Sequence, residues 1–273
     1  GEGTPESTGK KPDHFVGDYY VLFSQNKTPE LEEEALHMLE RWETGDPAVM
    51  ELWQKMNGWV LEGFRQTFER VGFTIDKDYF ESDIYQKGKE IVMENLGTVF
   101  QEEADGSVTI DLEDKGYGKK VVLRANKTAV YITQDLYLPK KRYHDFGFDR
   151  MIYIVGNEQI YHFNVLFEIF KRLDYPFADG CMHLPHGMIE LPEGKMKSRE
   201  GTVVDADELL DQVRTITEQE IDNRYEDLTR DERELRINAI AHSAIRFFFL
   251  KFNPLKDFVF KPSESIAFDG ETR

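Results

Sequence analysis

Apolar residues recur at helical spacing through the first third of the chain. In two segments, residues 28–45 and 46–72, they return every three or four positions. Each segment begins with a capping residue followed by proline and ends at glycine, an order typical of helices. The pattern predicts two long amphipathic helices, and Ser82 is expected to cap a third helix that runs to about Leu96.

The spacing changes to every second position after residue 98. Segment 108–112 alternates apolar and polar residues, and segments 120–124 and 129–133 lie on either side of a turn at Asn126-Lys127. Alternation of this kind is typical of strands with one buried face. We therefore expect small antiparallel hairpins in this part of the chain.

A third pattern, typical of α/β proteins, begins at residue 150. The apolar run 150–155 predicts a strand buried on both faces, and Gly156 separates it from a helical pattern. Segments 182–184 and 188–191 are further strand candidates.

Two Asp-x-x-Glu sequences mark the starts of the last helices. Asp205 with Glu208 begins one helix, and Asp231 with Glu234 begins another that runs through Phe252. In this arrangement the aspartate caps the first turn, and the glutamate three positions later reaches back to the backbone.

The composition indicates a folded protein without a membrane span. Hydrophobic residues make up 40% of 273, enough for a sizeable core, and the apolar runs, such as 247–250, are too short to cross a bilayer. Cys181 is the only cysteine, which excludes a disulfide within the chain and a cysteine metal cluster, and fits the cytoplasm. The net charge of −18 argues against non-specific nucleic-acid binding.

One basic segment interrupts this acidic chain. Lys195, Lys197 and Arg199 lie between Gly194 and Gly201, directly before a predicted helix. A positively charged connection that opens into a helix can close over a polyphosphate. A solvated basic turn is the simpler explanation of the charges alone.

The order of these residues, Lys-Met-Lys-Ser-Arg, resembles the Lys-Met-Ser-Lys-Ser signature loop of class I aminoacyl-tRNA synthetases, in the form found in arginyl-tRNA synthetases. The resemblance covers residues 8–268. Five further segments, all before the loop, occur in the order that the family shows: 17–21, 55–60, 131–135, 155–159 and 178–180. The His-x-Gly-His motif of the class appears nowhere in the chain, and no anticodon-binding domain is recognisable. We therefore expect a catalytic-domain fragment that is inactive when isolated.

The resemblance implies an α/β fold with a partial, Rossmann-like parallel-sheet core, a large helical insertion and small antiparallel hairpins. It also implies four regions: a flexible leader (1–12), a helical insertion of the catalytic domain (13–97), the strand-rich second half of the core with the signature loop (98–204), and a helical segment that leads toward an anticodon-binding domain (205–273).

Tyr131 and Asp135 are candidates for binding a guanidinium group. A guanidinium is planar and permanently charged, and a carboxylate can accept two parallel hydrogen bonds from it beside an aromatic wall. Taken alone, the two residues are better explained as a core tyrosine and a capping aspartate. The resemblance implies instead that they hold the substrate guanidinium, with Gln159 beside them.

The strand, turn and helix around Gly156 form the candidate ATP site, because open α/β sheets bind ligands at the carboxyl ends of their strands. The resemblance implies that Gly156 and Glu158 line the ATP ribose and that His162 faces the nucleotide. Without it, His162 could equally be a satisfied histidine on a helix face. The resemblance also implies an adenine contact at the Met188 backbone and a phosphate contact at Lys195.

Adenylate formation requires alignment of the amino-acid carboxylate with the α-phosphate and stabilisation of charge on phosphorus and pyrophosphate. Lys195 and Arg199 are available for this task, Ser198 occupies the place of the second signature lysine, and Mg²⁺ normally assists. The implied function is that of a monomeric arginine–tRNA ligase, which activates arginine with ATP and transfers it to the 3′ end of tRNA. The tRNA would be held mainly by regions outside this chain.

Two alternatives stay open at this point. A class I synthetase of another specificity would share the fold, although the sequence lacks the Cys/His cluster of the cysteine type, and Tyr131 with Asp135 favours a guanidinium. A non-catalytic nucleotide- or amino-acid-binding module derived from the same fold would share partial motifs. A His-x-Gly-His element in the natural reading frame would favour the enzyme over the module.

Overall fold

The computed structural model describes residues 3–84, 86–190 and 205–259. Within these ranges the helices are α1 Pro5–Thr8, α2 Pro12–Asn26, α3 Pro29–Glu43, α4 Pro47–Val71, α5 Lys87–Glu94, α6 Tyr131–Gln134, α7 Leu138–Phe146, α8 Ile160–Arg172, α9 Ala206–Arg224 and α10 Arg230–Leu250. The strands are β1 Gln101–Glu102, β2 Val108–Leu112, β3 Gly118–Leu123, β4 Met151–Gly156, β5 Cys181–His186, β6 Ile189–Glu190 and β7 Phe258–Val259.

The chain divides into two units. The helical unit comprises Gly1–Ile75, Ile189–Phe252 and Val259–Arg273, and the sheet unit comprises Asp76–Met188 and Asn253–Phe258. The predicted leader contains α1, a four-residue helix whose first turn is capped by the Thr4 side chain.

The long helices of the helical unit begin where the sequence predicts. Thr28 and Asp46 accept hydrogen bonds from the first-turn amides of α3 and α4, and Asp205 does the same for α9, so all three predicted caps are confirmed. Gly72 ends α4 at φ 71°, a left-handed conformation that other residues rarely adopt.

Two other predicted helix starts are wrong. Ser82 lies in a short 3-10 turn, and α5 begins only at Lys87, because the chain leaves the helical conformation after that turn. Helix α10 begins before the predicted Asp231–Glu234 cap. Thr229 and Glu232 cap each other reciprocally there, and so satisfy two backbone amides earlier in the sequence.

The sheet unit contains a sheet of three antiparallel strands, in which β2 pairs with β1 on one side and with β3 on the other. The predicted strand at 108–112 is confirmed. The predicted strand at 129–133 is wrong, because only Ala129 bridges to β3 before the chain turns into α6. The buried Thr133 accounts for the turn, since its hydroxyl donates to the Val122 carbonyl and draws the chain inward.

A parallel pair of strands completes this unit. β4 and β5 stay in register along their whole length, and Gly156 lies opposite His186 at the end. Strand β4 is not buried on both faces as predicted: Ile152 and Ile154 are 52% and 68% exposed. No described element of the sheet unit covers that face.

One hydrophobic core joins α8 to the antiparallel strands. Its fully buried side chains come from several elements of the sheet unit and include Phe100, Ile110, Leu123, Leu136, Leu166 and Phe170. Because interiors are close-packed, α8 is held firmly along its buried face. The candidate site described next lies at the N-terminal end of this helix.

Candidate active site

Strand β4 ends at Gly156, and a short 3-10 turn leads directly into α8. This confirms the predicted order of strand, turn and helix. Glu158 and Gln159 lie exposed in the turn, at the carboxyl end of a parallel strand. His183 of β5 fixes the strand end, because its Nε2 donates to the Val155 carbonyl at 2.9 Å.

Helix α6 positions the two residues predicted to bind a guanidinium. Tyr131 begins this helix, and Asp135 follows its last residue. Two contacts fix α6: Thr133 donates to the Val122 carbonyl, and Gly88 of α5 lies so close to the Thr133 carbonyl that a Cβ would clash. A four-residue helix is not stable alone, so these contacts determine where Tyr131 and Asp135 lie.

Asp135 and His162 are in direct contact. His162 Nε2 donates to Asp135 Oδ2 at 2.8 Å, across 27 positions of sequence. The ring centroids of Tyr131 and His162 are 5.6 Å apart. The structure therefore brings one residue predicted for the ATP site together with two predicted for arginine.

The Asp135 carboxylate remains accessible. The side chains of Asp135 and His162 are 33% and 18% exposed, and Tyr131 is 72% exposed. His162 bonds only to Oδ2 of Asp135, and Asp135 Oδ1 has no hydrogen-bond partner among the described residues. One carboxylate oxygen is thus fixed by the protein while the other is free to accept from a ligand.

An aromatic layer supports His162 from the core. The Phe163 ring centroid lies 5.5 Å from that of His162 and 4.4 Å from that of His183, and Tyr153 packs against Phe163 at 4.9 Å.

Burial raises the pKa of the Tyr153 phenol. Burial also raises the pKa of the Cys181 thiol to about 11, as expected for a thiol that packs against the core.

Asp257 is a residue near the site that no sequence pattern indicated. Its Oδ1 accepts from the Met188 amide at 2.7 Å and from the Asn157 side chain at 3.1 Å. The Met188 carbonyl accepts from the Phe258 amide at 3.1 Å, and Met188 Sδ lies 3.6 Å from the position of a Cβ built on Gly156. Met188 thus presents its side chain to the end of β4, while its amide is engaged. Asp257 lies 100 positions from Asn157, too far for a local pattern.

Comparison with known proteins identifies the family of the chain. Residues 12–261 match the family model described as class I tRNA synthetases (R), catalytic domain. The chain belongs to this arginyl-tRNA synthetase family. The arginine–tRNA ligases of Bacteroides thetaiotaomicron and Treponema pallidum are each 45% identical to it over 98% of the chain. The chain spans about half of these relatives, 49% and 46% of their lengths.

Solved arginyl-tRNA synthetases share the fold. The Plasmodium falciparum enzyme superimposes with a TM-score of 0.70 over 95% of this chain and 46% of its own, at 15% identity. The Thermus thermophilus enzyme gives 0.66 over 93% of this chain and 52% of its own, at 18% identity. At such identities the likeness shows the fold alone, and it confirms the predicted α/β class with a partial parallel-sheet core.

The signature loop of this synthetase chain falls outside the described residues. Lys195, Ser198 and Arg199, predicted for catalysis, therefore have no structural description. Of the other predicted residues, the structure joins His162 to Asp135 and to Tyr131.

One group of acidic and histidine side chains in the described residues could share a cation: Asp13, His14 and Asp207, in the helical unit. The Lys11 ammonium already lies 2.8 Å from Asp13 Oδ2 and 2.8 Å from Asp207 Oδ2. Arg70 pairs with Asp207 at 2.6 Å. The Lys11 ammonium and the Arg70 guanidinium therefore already neutralise these carboxylates. The group does not fit Mg²⁺, which requires an octahedron of oxygens. The described residues around Gly156 form no such group.

Across the described ranges, no helix has both the length and the apolar character that a membrane crossing requires.

Proposed function

We propose that the polypeptide containing this chain is an arginine–tRNA ligase. It uses ATP to convert arginine to arginyl-adenylate, and it transfers the arginine to the 3′ end of tRNA. The observation that carries the proposal is the accessible Asp135 carboxylate, held by His162 beside Tyr131. The family match and the 45% identity to arginine–tRNA ligases support the same function.

The arginine subsite consists of Tyr131, Asp135 and Gln159. Asp135 accepts two parallel N–H donors of the guanidinium; a lysine ammonium lacks this planar pair of donors, and a neutral urea group lacks the positive charge. The exposed Tyr131 ring packs against the His162 ring and would form the wall of this subsite, and Gln159 lies exposed in the turn after β4. A ligand without the guanidinium would leave the carboxylate incompletely paired, so discrimination is strong.

The ATP subsite consists of Gly156, Glu158, His162, Met188 and Lys195. Gly156 lacks a side chain at the end of β4, where Met188 and His186 approach most closely, so the ribose can reach the backbone. Glu158 lies exposed in the following turn, within reach of ribose hydroxyls. Met188 forms the adenine edge through its side chain and the second lone pair of its carbonyl, since its amide donates to Asp257 Oδ1 and its carbonyl already accepts from the Phe258 amide.

The chemistry follows from this arrangement. An arginine carboxylate oxygen attacks the α-phosphorus and pyrophosphate leaves; a ribose hydroxyl of tRNA then attacks the adenylate carbonyl, and AMP leaves. Lys195 and Arg199 stabilise the charge that develops on the phosphates, and Ser198 lies between them in the signature loop.

The remaining partners follow from the family and the charge. Mg²⁺ would accompany the ATP phosphates and neutralise part of their charge. The tRNA would be bound mainly outside this acidic chain. We expect a monomeric enzyme of the cytoplasm.

Amino-acid-dependent pyrophosphate exchange tests this function. The full-length natural polypeptide, supplied with ATP and tRNA, should exchange pyrophosphate with arginine but not with lysine or citrulline. The 273-residue chain alone should give background exchange, because it lacks the His-x-Gly-His motif. Exchange with another amino acid would contradict the specificity. No exchange with any amino acid from a folded full-length polypeptide would favour a non-catalytic binding module.

A further inference from the structure

His162, proposed for the ATP subsite, contacts two residues of the arginine subsite. Its Nε2 donates to Asp135 Oδ2 at 2.8 Å, and its ring lies 5.6 Å from the Tyr131 ring. We propose that His162 is a positioning residue for Asp135, which it holds in the orientation that receives the guanidinium. This inference rests on the proposed function of Asp135 and assigns His162 a part in recognising arginine.

The carboxylate keeps enough acceptors for a ligand while His162 is bound. A carboxylate offers about four lone-pair positions, and the imidazole occupies one of them, on Oδ2. Oδ1 has no hydrogen-bond partner within the described ranges, and the side chain is 33% exposed. A guanidinium can therefore donate to both oxygens without displacing His162.

The imidazole is better fixed than the carboxylate it contacts. His162 lies in α8, whose neighbouring Phe163 is 7% exposed in the core. The Phe163 ring packs edge-on against the imidazole, with ring planes at 86°. Asp135, in contrast, follows the four-residue α6, and the terminal torsion of an aspartate is broad. A rigid helix thus restricts a side chain that would otherwise lose rotational freedom on binding arginine.

The contact also determines what His162 can offer to a nucleotide. An ionised carboxylate only accepts hydrogen bonds, so Nε2 carries the proton. In the neutral ring, Nδ1 is then an acceptor, which can receive a ribose hydroxyl but repels a phosphate oxygen. A nucleotide contact by His162 would therefore involve the ribose, and Asp135 would select the tautomer that makes it.

Two substitutions in the full-length natural polypeptide separate positioning from nucleotide contact. His162→Ala removes the donor, whereas His162→Gln keeps an amide N–H at a similar reach. We expect His162→Ala to raise the arginine KM about tenfold, the effect of losing support for a charge-assisted hydrogen bond, and to raise the ATP KM by a smaller factor, because His162 also belongs to the proposed ATP subsite. His162→Gln should restore the arginine KM to within about threefold of the natural protein, because the amide can donate to Asp135.

Direct titration with L-arginine by calorimetry, together with the thermal midpoint of each variant, accompanies the kinetics. A higher ATP KM with an unchanged arginine KM would overturn the positioning role and leave a nucleotide contact. Tighter arginine binding by His162→Ala would overturn it as well, because the imidazole would then compete with the ligand. An unchanged His162→Ala enzyme in which Asp135→Asn still loses arginine would overturn this inference while the proposed function stands. A natural protein that does not bind arginine would overturn the proposed function itself.

Discussion

The amino-acid specificity proposed here depends on one carboxylate. Asp135 follows a four-residue helix, is one-third exposed and is held by His162 through a single oxygen. The sequence marked Tyr131 and Asp135 as a candidate pair, but taken alone a core tyrosine and a capping aspartate explained them better. Only the contact with His162, made across the fold, shows that the Asp135 side chain points toward the first turn of α8.

Replacement of Asp135 by Asn should strongly weaken the recognition of arginine. The change keeps the shape but removes the charge and turns a donor toward the guanidinium, and each charge-assisted hydrogen bond is worth about 1.5–3 kcal/mol. In the full-length natural polypeptide we expect kcat/KM for arginine to fall at least about a hundredfold, with little change in the ATP KM. Tyr131→Phe is the matched control and should cost less, because the ring remains. Equal, small changes in both KM values would return Asp135 to a capping role.

Cys181 should react slowly with alkylating reagents. It is the only cysteine of the chain, and burial raises the pKa of its thiol to about 11. At pH 8 only about one thiol in a thousand is then ionised, and the thiolate is the reactive form. Mass spectrometry after iodoacetamide treatment should show little modification of the folded chain and rapid modification in denaturant. Equal rates in the two states would show that the thiol is not buried.

At the scale of elements, neighbours decide what α6 becomes. The alternating apolar pattern at 129–133 favoured a strand, because Tyr131 and Thr133 have high strand propensity. In the fold, Thr133 is fully buried and its hydroxyl donates to the Val122 carbonyl. The carbonyl of Thr133 itself lies against Gly88. Tertiary contacts therefore override local propensity, which is why the helix that holds Asp135 could not be read from the sequence.

Gly88→Ala tests this packing. A Cβ at Gly88 would clash with the Thr133 carbonyl, so we expect a loss of about 1–3 kcal/mol in unfolding free energy and weaker arginine binding as α6 shifts. Gly58→Ala in α4 is the control: nothing lies within 4 Å of its Cβ position, and alanine in a helix interior should add about 0.5–1 kcal/mol. Urea unfolding measures both. A Gly88→Ala protein as stable as the natural one would contradict the close approach.

The start of α9 should make the helical unit sensitive to acid. Asp207 is buried, and burial raises the pKa of its carboxyl; hydrogen bonds from Lys11 and Thr67, with the charges of Lys11 and Arg70, outweigh burial and hold the pKa below its usual value. A lowered carboxyl pKa stabilises the fold above the usual value, about 3.9. This contribution is lost as the pH falls through the folded-state pKa.

Asp207→Asn should therefore cost about 1.5–3 kcal/mol near pH 7, because it removes the charge that pairs with Lys11 and Arg70, while Lys11 keeps Asp13 as a second partner. The difference from the natural chain should persist to about pH 5 and shrink below about pH 4. Asp211→Asn provides the control. Asp211 also pairs with Arg70 but is 66% exposed, so its loss should cost less than about 1 kcal/mol. A difference that grew toward acid pH would contradict the assignment.

At the scale of the whole molecule, the order of elements was largely predictable. Caps at Thr28, Asp46 and Asp205 are local hydrogen bonds, so their residue types indicate helix starts directly. The exposed face of β4 was not predictable, because an apolar run such as 150–155 does not reveal what covers it. The link between Met188 and Asp257 also depends on distant parts of the chain meeting.

The charge of the molecule leads to a final prediction about nucleic acids. Binding to duplexes of arbitrary sequence depends on neutralising phosphates with lysine and arginine, and it is strongest at low salt. The chain has 34 such residues against 52 acidic ones, a net charge of −18. We therefore expect no mobility shift of an unrelated RNA duplex at about 50 mM salt with up to about 10 μM chain. The full-length natural polypeptide with its tRNA is the positive control, because the proposed tRNA contacts lie mainly outside this chain. Duplex binding by the chain alone that weakens steeply between about 50 and 200 mM salt would instead show a local basic surface that the overall charge conceals.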